Sequence, residues 1–188
     1  MTSGKPQVNL RNMVLSMLME VENGEKSHIV LKQYLDQYSF LDKQQRAFAT
    51  VLFRGSIERE LELEYIINQF SKTPVSKMKA VVKWILVMSV YQLKYMDSVP
   101  DSAVCNEAVK ITGKRKLTGL KGFVNGVLRN IARNIGNIKY PKDKEEASSV
   151  KYSVPVWLIQ MWKEQYGAEK TETMLKHLYT PKVITVRC

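Results

Sequence analysis

Residues 76–95 read Ser76-Lys77-Met78-Lys79-Ala80-Val81-Val82-Lys83-Trp84-Ile85-Leu86-Val87-Met88-Ser89-Val90-Tyr91-Gln92-Leu93-Lys94-Tyr95, and the middle of this stretch decides the fold class. From Trp84 to Val90 every position except Ser89 is apolar. A helix that is apolar nearly all round must pack on several sides, so the segment is expected to be the central helix of a buried core. At seven residues this longest apolar run is also far short of the roughly 20 that a membrane span requires.

Upstream, Leu10, Met13, Val14, Met17, Leu18 and Val21 recur at the three-and-four spacing of an amphipathic helix, which Asn23-Gly24 ends. A second helix is expected from Ser27, read as its N-cap, with Val30, Leu31, Tyr34 and Leu35 on the buried face. Asp42 and Gln45 have the spacing of a reciprocal capping box, and Phe48, Val51 and Leu52 follow on one side. Gly55 is expected to bend or interrupt this helix. Glu58, Glu60, Glu62 and Glu64 alternate with other residues as in a strand, but strong helix formers throughout favour helix. Pro74 marks a break.

Downstream, 98–101 reads as a turn, 103–111 as a short helix, 113–122 as a basic loop punctuated by glycine, and 123–135 as another helix. Residues 136–151 are polar, charged and without hydrophobic pattern, and read as a linker. Two helices follow, 154–166 and 168–179, hinged at Gly167, and the tail Val183-Ile184-Thr185-Val186-Arg187-Cys188 has strand character. A terminal strand cannot satisfy its own backbone groups, so it is expected to pair with something beyond this sequence. The expected architecture is therefore all-α. About six to seven helices form a domain over 1–135, with a linker over 136–151 and a segment over 152–188 that leads into a further domain.

The chain has 188 residues and carries 29 Lys and Arg against 18 Asp and Glu, a net charge of +11 that favours nucleic acid or another acidic partner. The polar opening Met1-Thr2-Ser3-Gly4-Lys5 is not a signal sequence, and a cytoplasmic protein is expected. Cys105 and Cys188 have no CxxC spacing and read as free thiols, so neither a disulfide framework nor a metal site is expected. His28 and His177 are isolated and receive no role. Trp84, Trp157 and Trp162 each fall in an apolar helical pattern and read as packing residues rather than base-stacking platforms.

Tyr91-Gln92-Leu93, Val99-Pro100, Ala103-Val104, Asn106-Glu107-Ala108-Val109 and Phe123-Val124-Asn125-Gly126-Val127-Leu128 match in order and spacing a set of motifs that resembles the NusB family of helical RNA-binding domains. The resemblance covers about 8–135 and implies two packed helical sub-bundles. Tyr152-Ser153-Val154-Pro155-Val156-Trp157-Leu158 through Gln165-Tyr166-Gly167 is similar to the segment that joins such a domain to the catalytic domain in the RsmB (Sun) group of ribosomal RNA cytosine-C5 methyltransferases, with Cys188 where that group usually has Asn. The resemblance implies that the whole enzyme uses S-adenosylmethionine and a cysteine nucleophile. This chain shows no strand followed by a glycine-rich turn and a helix, so it is expected to hold no cofactor and no catalytic residue itself. Its implied partners are ribosomal RNA and a covalently attached methyltransferase domain. A stand-alone transcription antitermination factor of the NusB type is the alternative, and a scaffold using the acidic Glu58 to Glu64 face is a third reading.

Between Lys110 and Lys144 ten Lys or Arg meet one acidic residue, an excess of +9. Lys114, Arg115, Lys116, Lys121, Arg129 and Arg133 are the expected RNA-contacting residues, set along one side. Lys5 and Arg11 are the only cations among the first 25 residues, too few for the arginine-rich tract that NusB proteins carry there. Asn106 and Glu107 read as structural hydrogen-bonding groups, Gly126 as a point of close helix approach, and Asn125 as satisfying nearby backbone.

Overall fold

The computed structural model describes residues 8–180, and the expected terminal strand, together with Lys5 and Cys188, lies outside them. The described residues divide into two compact units that meet in sequence between Ile138 and Lys139.

The first unit is built on the apolar stretch from Trp84 to Val90. Helix α5 (Ala80–Tyr95) buries Trp84 and every residue from Ile85 to Val90, and also Val82 and Gln92. Its two buried polar side chains are satisfied within the helix: the Ser89 hydroxyl donates to the Ile85 carbonyl at 2.6 Å, and the Gln92 amide to the Met88 carbonyl at 2.9 Å. Each fully buried aliphatic side chain stabilises the unit by roughly 1.5–3 kcal/mol. Helices α1 (Leu10–Glu22), α2 (Ser27–Gln37) and α3 (Lys43–Glu58) pack on one another. Helices α6 (Asp101–Lys114) and α7 (Lys121–Asn134) pack on each other, and α7 also on α4 (Glu60–Phe70). Because α5 touches members of both groups, the two sub-bundles share one central helix.

Several local readings change. Ser27 is the first helical residue of α2, and Lys26 holds the N-cap position without a side-chain hydrogen bond. The expected capping box is present, with Asp42 accepting from the Gln45 backbone and Gln45 from the Asp42 backbone. Gly55 does not interrupt α3, which runs unbroken from Lys43 to Glu58; it makes room for a ring, since a Cβ there would lie 2.0 Å from Tyr91 Cζ. Helix α5 begins at Ala80 rather than at 76, because residues 75–77 form a 3-10 turn whose first N–H is held by Asn68 Oδ1 at 2.8 Å.

Most of the expected loop over 113–122 is also helical. Helix α6 runs to Lys114, a 3-10 turn spans Thr118–Leu120, and α7 starts at Lys121. The true break is short and closed by two backbone bonds, Leu117 N–H to the Thr112 carbonyl and Lys116 N–H to the Gly113 carbonyl, each 3.0 Å. Lys116 sits at the left-handed position of this cap, with φ of 60°.

The second unit holds α8 (Lys144–Tyr152), α9 (Val156–Tyr166) and α10 (Ala168–His177). Helix α8 occupies part of the stretch read as a linker. Asp143 caps it, accepting from the Glu145 and Glu146 backbone at 2.9 Å each, and those two acidic residues suit the positive end of the helix. Gly167, with φ of 81°, divides α9 from α10 as expected. The buried apolar residues among those described in this unit are Val154, Ile159 and Leu175, with Trp162 packed against them. Trp157 is not a packing residue: it is 64% exposed. No helix among the described residues is long and apolar enough to cross a membrane.

Candidate nucleic-acid interface

The six expected cations fall into three settings. Lys121, Arg129 and Arg133 lie on α7 at four-residue spacing, with Asn125 completing the row, which puts all four on one face. The row is about 18 Å long at 1.5 Å rise per residue. Arg129 and Arg133 are exposed, and Arg129 Nε donates to Asn125 Oδ1 at 3.0 Å, which holds the guanidinium along the helix. Asn125 thus serves its neighbour rather than the backbone. Gly122 and Gly126 add no bulk beside this row. A Cβ at either would meet nothing within 4 Å, so Gly126 opens onto space instead of admitting a neighbouring helix.

Lys114 and Lys116 are exposed at the end of α6. They stand next to the head of the α7 row because the Lys121 stem crosses Gly113, where a Cβ would lie 2.5 Å from Lys121 Cε. Arg115, between them, points inward. Its Nε donates to Asn12 Oδ1 at 3.1 Å, and its Nη2 to the Asn12 carbonyl at 3.1 Å and to Ser16 Oγ at 2.6 Å. These bonds engage three of the five guanidinium N–H groups in tying α6 to α1. No pattern in the sequence marked Asn12 and Ser16 as its acceptors.

A cleft of about 580 Å³ lies where α1 meets α6, lined by Asn9, Arg11, Phe48, Glu107, Lys110 and Lys114 among others. Arg11 is committed there: its Nε donates to Gln92 Oε1 at 2.7 Å and its guanidinium stands 5.1 Å from the Phe48 ring centre. Burial lowers its pKa and Glu107 opposes that shift. The Lys110 ammonium, 2.8 Å away, is the largest influence holding the Glu107 carboxyl below its ordinary value; Asn9 Nδ2 donates to the same group at 3.1 Å. Glu107 is therefore a structural acceptor, as expected, whereas Asn106 is exposed.

Nothing in this surface resembles a nucleophilic centre. Burial pushes the Cys105 thiol up against the opposing pull of Arg129, which leaves it protonated at neutral pH. His177 bonds to the Thr173 carbonyl one turn earlier, and among the described residues no three His, Cys, Asp or Glu side chains converge to hold a metal.

The NusB family model matches residues 8–133. The Probable ribosomal RNA small subunit methyltransferase B of Bacillus subtilis is 32% identical over 179 residues, which is 94% of this chain and 40% of that protein. The Transcription antitermination protein NusB of Dictyoglomus thermophilum is 29% identical over 140 residues, 74% of this chain and 92% of that protein. Among solved structures, a crystal structure of PH0851 superposes with a TM-score of 0.75 at 15% identity, covering 95% of this chain and 40% of that one. Antitermination factors NusB and NusE in complex with dsRNA give 0.60 at 21% identity, covering 66% of this chain and 93% of the matched one. At those identities the structures speak for the fold alone. The chain spans about two fifths of the length of the methyltransferase relatives that it matches.

Proposed function

The chain belongs to the NusB family, and from this premise we propose that it is the RNA-binding region of a ribosomal RNA cytosine-C5 methyltransferase, holding the substrate for a catalytic domain on the same polypeptide. The observation that carries the reading is the row of half-buried Lys121 and exposed Arg129 and Arg133 on α7, with exposed Lys114 and Lys116 near its head. Cations in line on a surface free of bulk exchange counterions for phosphates. One solved neighbour of this fold is a complex with dsRNA, which supports RNA as the anion. Tethering raises the effective concentration of the catalytic domain at its target without any new contact.

The described residues do not fit S-adenosylmethionine. Gly113 and Gly122 lie inside helices and Gly119 in a 3-10 turn, with no strand before any of them to form a glycine-rich elbow against the adenosine and methionine moieties. On this proposal S-adenosylmethionine would be held by the catalytic domain, and ribosomal RNA as substrate would place the enzyme in the cytoplasm. A stand-alone antitermination factor is the weaker reading. The NusB relative covers 74% of this chain against 94% for the methyltransferase relative, and α8 to α10 extend past the family match.

The test is a fluorescence titration of this chain with a labelled small-subunit ribosomal RNA fragment. Affinity is expected to fall steeply with salt, while the chain alone transfers no methyl group from S-adenosylmethionine. Binding indifferent to salt, or turnover by this chain alone, contradicts the reading.

A further inference from the structure

We infer that the pocket between the start of α6 and the second half of α7 seats one unpaired guanosine of a bound RNA, with the base edge on Asp101 and the phosphate on Arg129 and Arg133. The inference rests on the RNA-binding reading above and deepens it. Phosphate contacts along the α7 row fix the position of a strand but carry no sequence information, whereas a base contact does.

The pocket has a volume of about 340 Å³ and is lined by Asp101, Ser102 and Cys105 of α6 and by Arg129, Ala132 and Arg133 of α7. Asp101 and Cys105 are one turn apart, and so are Arg129 and Arg133, so each helix presents one face to the same space. Cys105 is buried and Ala132 half-buried, and these two small residues give the pocket an uncharged floor. Asp101, Ser102, Arg129 and Arg133 are exposed around it. At the low end of the roughly 300–1,000 Å³ of ligand clefts, the volume suits one nucleoside rather than a strand.

The charges around this space do not neutralise one another. Asp101 forms no ion pair with either arginine, and among the described residues the side chains of Asp101, Ser102 and Arg133 have no hydrogen-bond partner. Arg129 uses only Nε, on Asn125 Oδ1, which leaves Nη1 and Nη2 without a partner among the described residues. Two guanidiniums and a carboxylate that line one pocket unpaired match a ligand with an anionic part and a donor edge. A nucleotide has both, and the two arginines already belong to the row read as following the RNA backbone.

The carboxylate selects the base. It offers two acceptor oxygens and no donor. Guanine alone presents two adjacent donors on its Watson–Crick edge, N1–H and the N2 amino group. Cytosine and adenine set one donor beside a ring acceptor, and uracil sets one N–H between two carbonyls. That edge is open only in an unpaired nucleotide, the form in which bases of RNA are read.

The full chain should be titrated with short labelled oligouridylates that carry guanosine, inosine, adenosine or uridine at one central position. The guanosine probe is expected to bind at least about fivefold more tightly than the uridine probe, with inosine, which lacks the N2 amino group, in between. Asp101→Asn keeps the size of the side chain and replaces one acceptor by a donor, and it is expected to abolish the guanosine preference; circular dichroism confirms that the variant folds. As an acid in the first turn of α6, Asp101 also suits the positive end of that helix. Loss of that role would change the affinity for all four probes by one factor, so the ratio between probes reads the base contact alone. Four probes bound alike by the parent, or a preference that survives Asp101→Asn, would overturn the inference and leave the α7 reading standing. Free guanosine monophosphate bound as tightly as the guanosine probe would identify a free-nucleotide site and overturn it too. Failure of the parent to bind any RNA would remove both readings together.

Discussion

Arg115 Nη2 donates to Ser16 Oγ at 2.6 Å across 99 positions of sequence, and this bond joins the end of α6 to the first helix of the chain. It turns one member of the basic cluster into a structural strut. Arg115→Ala should therefore lower stability by about 1.5–3 kcal/mol, the range for hydrogen bonds to a charged group, and Arg115→Lys should recover only part because the fork is lost. Thermal unfolding followed by circular dichroism reads this as a drop in Tm. A variant as stable as the parent would remove the strut.

Gly55 and Tyr91 form a second such pair, in which a Cβ would fall 2.0 Å from the ring. Gly55→Ala is expected to destabilise by roughly 1–3 kcal/mol through overpacking. In a double-mutant cycle with Tyr91→Ala, the double variant should lose less stability than the sum of the two single losses. Strict additivity would show that the close approach does not matter.

Lys116 holds a left-handed conformation with φ of 60°. Lys116→Gly should stabilise the chain by about 1 kcal/mol by relieving backbone strain, and if Lys116 touches phosphate it should also bind RNA less tightly. Urea unfolding and an RNA titration on the same sample separate the two effects, and a loss of stability on replacement by glycine would contradict the first.

The Glu22 carboxylate accepts from Lys83 Nζ and from Trp84 Nε1, each at 2.7 Å. Burial raises its pKa, but the bonds from Lys83 and Trp84 prevail and the net shift is downward. A lowered carboxylate contributes stability that is present above its unfolded pKa and lost as pH falls through the folded value. Neighbouring Glu64, pushed up by burial and by Glu60, contributes with the opposite sign, its share being lost as pH rises. Glu22→Gln should therefore lose less stability than the parent between neutral pH and about pH 3, measured by urea unfolding. An equal loss would place the acid sensitivity elsewhere.

The sequence was most legible where the pattern is local. The apolar run of α5, the Asp42 capping box and the four-residue row on α7 each report on neighbours within two turns. Helix α8 was overlooked because its composition is polar, although Asp143 followed by Glu145 and Glu146 is a helix-start signal on charge and capping grounds. The inward turn of Arg115 was not legible, since its acceptors on α1 lie about a hundred positions away and nothing in Asn12 or Ser16 marks them. The same limit applies to Trp157, which lies in an apolar helical pattern yet stands outside the small core of Val154, Ile159 and Leu175 and is exposed.

The account stands on the α7 row as a phosphate contact, and Lys121→Ala/Arg129→Ala/Arg133→Ala tests it most directly. Among the described residues these three make no hydrogen bond to a distant helix, unlike Arg115, so stability should change little. In a salt titration with a small-subunit ribosomal RNA fragment, the slope of log affinity against log salt should become shallower by about 2–3, at roughly 0.7–0.9 per lost contact. A folded triple variant that keeps the parent's affinity and slope would contradict the central claim.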